Sequence, residues 1–179
     1  MGPSARRKGS FDAAFSPGFS RSRGGRLAAP SAPFHDPRPF IHFSVVPVMK
    51  VARQQFIRQC GHSLPVFDRP VRFMDIGCGD GALTATLLTR LVDAGNVPGA
   101  REVLLVELSP AMAALAEETV RDALPGVDIA VRNSRMEDCP PSIDSHFEIA
   151  MSSLACHHRP IERKRVHLSR PKPWIDHLV

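Results

Sequence analysis

Two carboxylates and three glycines hold most of the chemistry this sequence can offer. In Val71-Arg72-Phe73-Met74-Asp75-Ile76-Gly77-Cys78-Gly79-Asp80-Gly81-Ala82-Leu83 an acid stands near the end of a mostly apolar run, and glycine takes every second place in the loop behind it. Without those side chains the backbone can turn sharply and a ligand can press against it. A second acid, Glu107, closes the next apolar run, Glu102-Val103-Leu104-Leu105-Val106. A strand, a glycine loop and a helix are how α/β proteins seat a nucleotide-like ligand at the carboxyl end of a sheet. No nucleophile or acid–base pair is visible beside them. Cys78 reads as a small residue in a tight loop. Cys156-His157-His158 invites a metal reading, but three consecutive side chains rarely converge on one ion and no distant partners have ligand spacing, so no metal is expected.

The elements that must position these groups follow from periodicity. Val71 to Ile76, short, largely apolar and preceded by Pro70, suits a buried parallel strand. From Ala82 the residues Leu83, Leu87, Leu88 and Leu91 share one helical face with Thr84 at its margin, and the helix runs to about Asp93 with Gly95 ending it. Ahead of the first strand, Met49, Ala52, Phe56, Ile57 and Cys60 predict a helix from Pro47, packed on the sheet and stopped by Gly61. Ser109-Pro110 caps a further helix with the stripe Met112, Leu115, Ala116, Thr119, Val120 and Ala123, ended by Pro125-Gly126. Strands are expected over Val127 to Val131, Phe147 to Met151 and Trp174 to Val179, with a basic helix from Ile161 to Ser169 and no element in Arg132 to His146. Strands alternating with helices give an α/β fold with a parallel, doubly wound sheet.

Composition narrows the setting. The net charge is +5 over 179 residues, but residues 1–40 carry seven Arg or Lys against two Asp, whereas residues 41–179 hold sixteen of each sign. The domain itself is not basic, so no nucleic-acid partner is inferred. No apolar run approaches the roughly 18 to 20 residues that span a bilayer, and no membrane partner is expected. Residues 1–40, rich in Gly, Pro, Ser and Arg, read as a disordered leader ahead of a domain at 41–179. A mitochondrial transit peptide is a second reading of that leader, opposed by its prolines and glycines, and Met49 is a second candidate start. Cys60, Cys78, Cys139 and Cys156 lack paired spacing, which favours a reducing, cytoplasmic setting.

Taken together, Asp75-x-Gly77-x-Gly79-x-Gly81, the helix behind it and a strand ending in Glu107 before Ser109-Pro110 resemble the class I S-adenosylmethionine-dependent methyltransferases. Met74 to Gly81 is similar to that family's first motif and Glu107 to Met112 to its second. Phe147 to Ser153, with Leu154 to His158, is similar to its fourth strand and the segment after it. The resemblance covers about residues 45–179 and implies a Rossmann-like methyltransferase fold with S-adenosyl-L-methionine as cofactor. It implies that Gly77, Cys78, Gly79 and Gly81 lie under the methionine part, and that Asp75 fixes the loop and the ammonium end. Glu107 would accept from the ribose hydroxyls, two donors for two carboxylate oxygens. Leu108 would pack on the adenine, Met136 and Glu137 would lie beside it, and Ser152, after the fourth strand, would also bind the cofactor. Arg135 stands where the family usually has Asp. The basic residues Arg159, Arg163, Lys164 and Arg165 read as a solvated helix face.

Three functions compete. The first is methyl transfer to a small-molecule acceptor, which needs alignment more than acid–base chemistry because the donor is already activated. The second is a dinucleotide-dependent oxidoreductase, since Gly77-x-Gly79-x-x-Ala82 fits that fingerprint with Glu107 as the ribose acid; Asp75 and Gly81 stand against it. The third is a cofactor-binding remnant without turnover. Family members continue through a fifth strand and an antiparallel pair, so a sheet incomplete after the fourth or fifth strand is expected, with the fourth near a bare edge. Oligomeric state is not fixed by any of these features.

Overall fold

The computed structural model describes residues 36, 38–135, 146–153, 155, 161, 162, 164 and 174–179. Helices α1 (Arg38–Ser44) and α2 (Pro47–Ser63) lead into β1 (Val71–Ile76), α3 (Ala82–Asp93), β2 (Ala100–Glu107), α4 (Pro110–Ala123), β3 (Asp128–Asn133), β4 (Phe147–Met151) and β5 (Ile175–Leu178). All strand pairs are parallel and the order is β3-β2-β1-β4-β5. The chain builds outward from β1 through β2 to β3, then returns to the other side of β1 for β4. That reversal falls between β1 and β4, and in doubly wound sheets the ligand crevice lies outside the carboxyl ends of the strands at such a point.

Alternate strand residues face opposite sides of the sheet, and both sides are buried. Phe73, Val103, Leu105 and Ile149 join Leu87, Leu91 and Val120 of the two crossover helices in one core cluster. Met74, Ile76, Leu104, Val106 and Ala150 belong to a second. Such two-sided burial explains why β1, β2 and β4 read as nearly continuous apolar runs. Truncating a wholly buried side chain such as Leu87 or Leu105 to Ala should cost about 2–5 kcal/mol.

Several expectations need correction. Helix α2 does not stop at Gly61 but continues to Ser63, because the Gly61 carbonyl is held by the Asn96 side-chain amide at 3.0 Å. Its contact with the body is also narrower than its periodicity suggests: Cys60 is buried and Phe56 and Ile57 are half-buried, while Ala52 is exposed. Its main contact is with α3, and Cys60 joins the core cluster that includes Val71 and Phe73 of β1. Helix α1 overlaps the end of the expected leader, of which residues 1–35 and 37 lie outside the described residues, as does most of the basic helix expected from Ile161. In α4 the apolar stripe takes in Ala113 and leaves Ala123 exposed. The second strand begins at Ala100, which pairs with Val71, and the third starts at Asp128 and runs into the stretch expected to hold no element, because the ladder continues through Val106–Arg132 and Glu107–Asn133. Strand β4 is interior: β5 pairs along it from Phe147 to Ala150, and beyond that Val179 N–H donates to the Ala150 carbonyl at 2.9 Å and Ser152 N–H to the Val179 carbonyl at 3.1 Å.

At the amino ends of the strands a charge cluster ties three strands together. Glu148, only 4% exposed, accepts the Arg72 backbone N–H at 2.6 Å and an Arg101 guanidinium N–H at 3.1 Å. Arg72 in turn holds Glu102 at 2.6 Å and lies over the Phe147 ring at 4.9 Å. Burial alone would raise the Glu148 carboxyl; the Arg72 amide and the Arg101 and Arg69 cations outweigh it and hold the group below its ordinary range. Replacing Glu148 with Ala strands a buried amide, and because its cationic partners are well solvated the expected loss is about 2 kcal/mol, measured by urea denaturation.

Candidate functional site

The loop after β1 has no room for a side chain at two of its glycines. Gly77 and Gly81 have φ of 80° and 75°, a left-handed backbone that side-chain-bearing residues rarely adopt. Each is also walled in. A Cβ on Gly77 would stand 2.3 Å from the Ala155 methyl, and one on Gly81 would stand 2.8 Å from the Ala116 backbone. Gly77 N–H and Cys78 N–H both donate to the Val106 carbonyl, at 2.7 and 3.2 Å, so the loop begins as a continuation of the β1–β2 ladder. Asp80 then caps the first turn of α3 by accepting Ala82 N–H at 3.1 Å.

Gly81→Ala should therefore lose about 2–4 kcal/mol, since backbone strain and a clash with helix α4 add. In Gly77→Ala the obstacle is a methyl group, so Ala155→Gly should restore part of its loss. Chemical denaturation of the single and double variants reads both effects, and no recovery in the pair would remove Ala155 as the cause.

The two acids do different work. Asp75 is 2% exposed, and its Oδ2 accepts the Thr84 hydroxyl from α3, while Oδ1 is buried without a hydrogen-bond partner. Burial pushes its carboxyl up to about 7; the Thr84 bond works against the rise and the negative charge of Glu107 adds to it. Glu107, half-buried, accepts Gly79 N–H on Oε2 at 3.1 Å and Ser109 N–H on Oε1 at 2.9 Å. One carboxylate thus joins the crest of the glycine loop to the cap of α4. Each oxygen keeps a lone pair for a further donor. In this structure Glu107 holds the loop, whereas Asp75 holds the first turn of α3 through Thr84, a division the motif does not reveal.

The other expected residues are placed as follows. Leu108 follows Glu107 with 39% of its surface exposed, so an apolar side chain is presented beside the acid. Ser152, one residue past β4, donates its hydroxyl to the Ile76 carbonyl at 3.1 Å and pins the end of β4 to the end of β1. Cys78 is buried, and burial together with Asp75 and Glu107 pushes its thiol up, which opposes any nucleophilic role. Met136 and Glu137 lie outside the described residues, as do Cys156, His157 and His158. Among the described residues no group of three or more His, Cys, Asp or Glu could hold a metal ion.

Two residues of the site escaped the sequence reading. Thr84 stands at the margin of a helical face, and a hydroxyl beside an otherwise apolar stripe is the signal the sequence offers. Asn133 donates its side-chain amide to the Glu107 and Leu108 carbonyls, both at 2.9 Å, and Ser134 N–H adds a bond to Glu107 at 3.1 Å. These contacts fix the backbone that presents Glu107 and Leu108. Nothing in the local pattern marks an Asn for that task, because the partner strand is more than twenty residues away.

Comparison with known proteins agrees with this geometry. A family described as a methyltransferase domain matches residues 73–170. No curated protein sequence matches the chain. Among solved structures, magnesium protoporphyrin IX methyltransferase (ChlM) from Synechocystis PCC 6803 with bound SAH aligns with a TM-score of 0.56 at 19% identity, over 80% of this chain and 65% of that one. The DhpI–SAH complex aligns with a TM-score of 0.57 at 16% identity, over 79% and 60%. The cyclopropane synthase MmaA2 from Mycobacterium tuberculosis aligns with a TM-score of 0.52 at 20% identity, over 71% and 40%. The chain spans less than two thirds of each of those proteins, and at such identities the likeness establishes the fold. With the family match covering more than half of its length and the sheet order and glycine loop in place, this chain belongs to the class I S-adenosylmethionine-dependent methyltransferases.

Proposed function

We propose that this chain binds S-adenosyl-L-methionine over the Gly77–Gly81 loop and transfers its methyl group to a small-molecule acceptor. The observation that carries the reading is the Glu107 carboxylate, held by the Gly79 and Ser109 amides at the mouth of a loop with no room for a Cβ at Gly77 or Gly81. The residues present fit the cofactor. The orphaned Oδ1 of Asp75 matches a cationic or hydrogen-bonding ligand group, and the remaining lone pairs of Glu107 match vicinal hydroxyls. When bound, the cofactor supplies a methyl group already activated on a sulfonium centre.

What remains for the protein is binding and orientation. The loop amides and Glu107 fix the donor, Leu108 offers an apolar surface for its base, and Asn133 keeps that segment in register. Ser152 keeps β1 and β4 together at the crevice, so that an acceptor meets the methyl group along one line. A site of this kind needs no nucleophile, consistent with the inert Cys78.

The test supplies methyl-labelled S-adenosylmethionine and a cell extract to the purified chain, then separates small from macromolecular products. Label in the small-molecule fraction is expected. Label confined to protein or nucleic acid would refute the acceptor class, and no transfer by a chain that binds the cofactor would leave it a binding protein.

A further inference from the structure

Helix α1, the connection after it and the first turns of α2 stand away from the domain. No residue of α1 is buried, and among the described elements its main neighbour is α2. Yet the segment is rich in large apolar side chains: Phe40, Ile41, Phe43, Val45, Val48 and Val51 are all exposed, Val48 by 68%. An apolar patch of this density on a solvated protein marks an interaction surface.

Charge indicates what covers it. No Asp or Glu occurs between Asp36 and Asp68, while Lys50 and Arg58 are exposed and Arg53 is half-buried on the same helix. Residues 1–63 carry ten Arg or Lys against two Asp, whereas residues 64–179 carry thirteen against sixteen acids. The α1–α2 segment from Arg38 to Ser63 thus carries four Arg or Lys and no acid, and the chain after it is mildly acidic. Apolar side chains rimmed by cations, without acids, form the pattern that settles into the headgroup layer of an anionic membrane. A second copy of this chain would bring two cationic rims together. Residues 1–35, with six Arg or Lys against one Asp, would repel the patch in the same way. A projecting helical tip also requires no matching concave partner, because a bilayer deforms around it.

We infer that the α1–α2 tip is a peripheral docking surface for anionic phospholipid, which Phe40, Phe43 and Val48 enter while Lys50 and Arg58 meet the headgroups. It is a surface contact: no helix among the described residues is long and apolar enough to cross a membrane. The proposal does not depend on the methyl-transfer reading.

The test is cosedimentation of the full chain with mixed phosphatidylcholine–phosphatidylserine vesicles and with pure phosphatidylcholine vesicles. Binding about tenfold tighter to the mixed vesicles, released by salt, is expected. The paired substitutions Phe43→Asp with Val48→Asp, and Lys50→Glu with Arg58→Glu, should each weaken it about tenfold or more while leaving the melting temperature unchanged, since all four side chains are exposed. Equal binding to both vesicle types, no binding to either, or wild-type binding by both paired variants would overturn the proposal; the last result would assign binding to residues 1–35. A concentration-dependent dimer in sedimentation velocity, lost in Phe43→Asp, would assign the patch to a second copy and overturn it equally.

Discussion

Substituting Ala for Glu107 should weaken binding of S-adenosylhomocysteine by about 100-fold or more. The carboxylate is the acceptor for the Gly79 and Ser109 amides, and its spare lone pairs are the proposed acceptors for two ligand hydroxyls. A hydrogen bond to a charged group is worth about 1.5–3 kcal/mol, so losing two from the complex corresponds to roughly two to four decades in affinity. The same change frees the loop and the α4 cap in the unliganded protein, at about 1–2 kcal/mol of stability. Glu107→Gln separates the contributions. It retains one acceptor oxygen and the size of the group but not the charge, and should fall between wild type and Ala. Titration calorimetry well below the melting temperature reads the affinities; equal affinity in wild type and Glu107→Ala would take Glu107 out of the site.

Asp75→Asn should reshape the pH dependence of both stability and binding. The folded carboxyl lies at about 7, above its ordinary value of 3.8, chiefly because it is buried. Between those values the folded protein holds a proton that the unfolded chain has released. Stability from this group is therefore complete below about pH 4 and is lost as pH rises through about 7. Asn does not titrate. Relative to the variant, wild type should thus lose up to about 4 kcal/mol across that window, at about 1.4 kcal/mol per pH unit. Binding should move the opposite way. A cationic ligand group prefers the ionised carboxylate, so wild-type affinity for S-adenosylhomocysteine should rise through about pH 7 and that of Asp75→Asn should not. Denaturation and titration at several pH values check both, and parallel stability profiles would show that Asp75 does not titrate as described.

Much of the fold was legible because local and global preferences agree. The Leu83, Leu87, Leu88, Leu91 stripe could only be one face of a helix, and its bounds at Ala82 and Asp93 emerged as read. The runs at Val71 and Phe147 are too short and too evenly apolar for anything but buried strands. What failed did so where a distant partner decides. Gly61 carries the usual stop signal, but Asn96, thirty-five residues on, holds its carbonyl and the helix continues. Met49 and Ala52 keep the apolar spacing of a packed helix although the body reaches only the last turns of α2, so periodicity alone overstated the contact. In the proposed site the motif pointed to Asp75 and Glu107 but not to the groups that hold them. Those include Thr84 from one helix and Asn133 from another strand, and neither can be paired with its acid until the sheet order is known.

The whole reading rests on which nucleotide-like molecule the glycine loop accepts, and a thermal-shift titration with S-adenosylhomocysteine and NAD in parallel measures it. A ligand present at about 100 times its dissociation constant stabilises the folded state by about 2.7 kcal/mol, which is a rise of several degrees for a domain of this size. S-adenosylhomocysteine should give that rise and NAD none. Stabilisation by NAD alone, with S-adenosylhomocysteine inert, would contradict it.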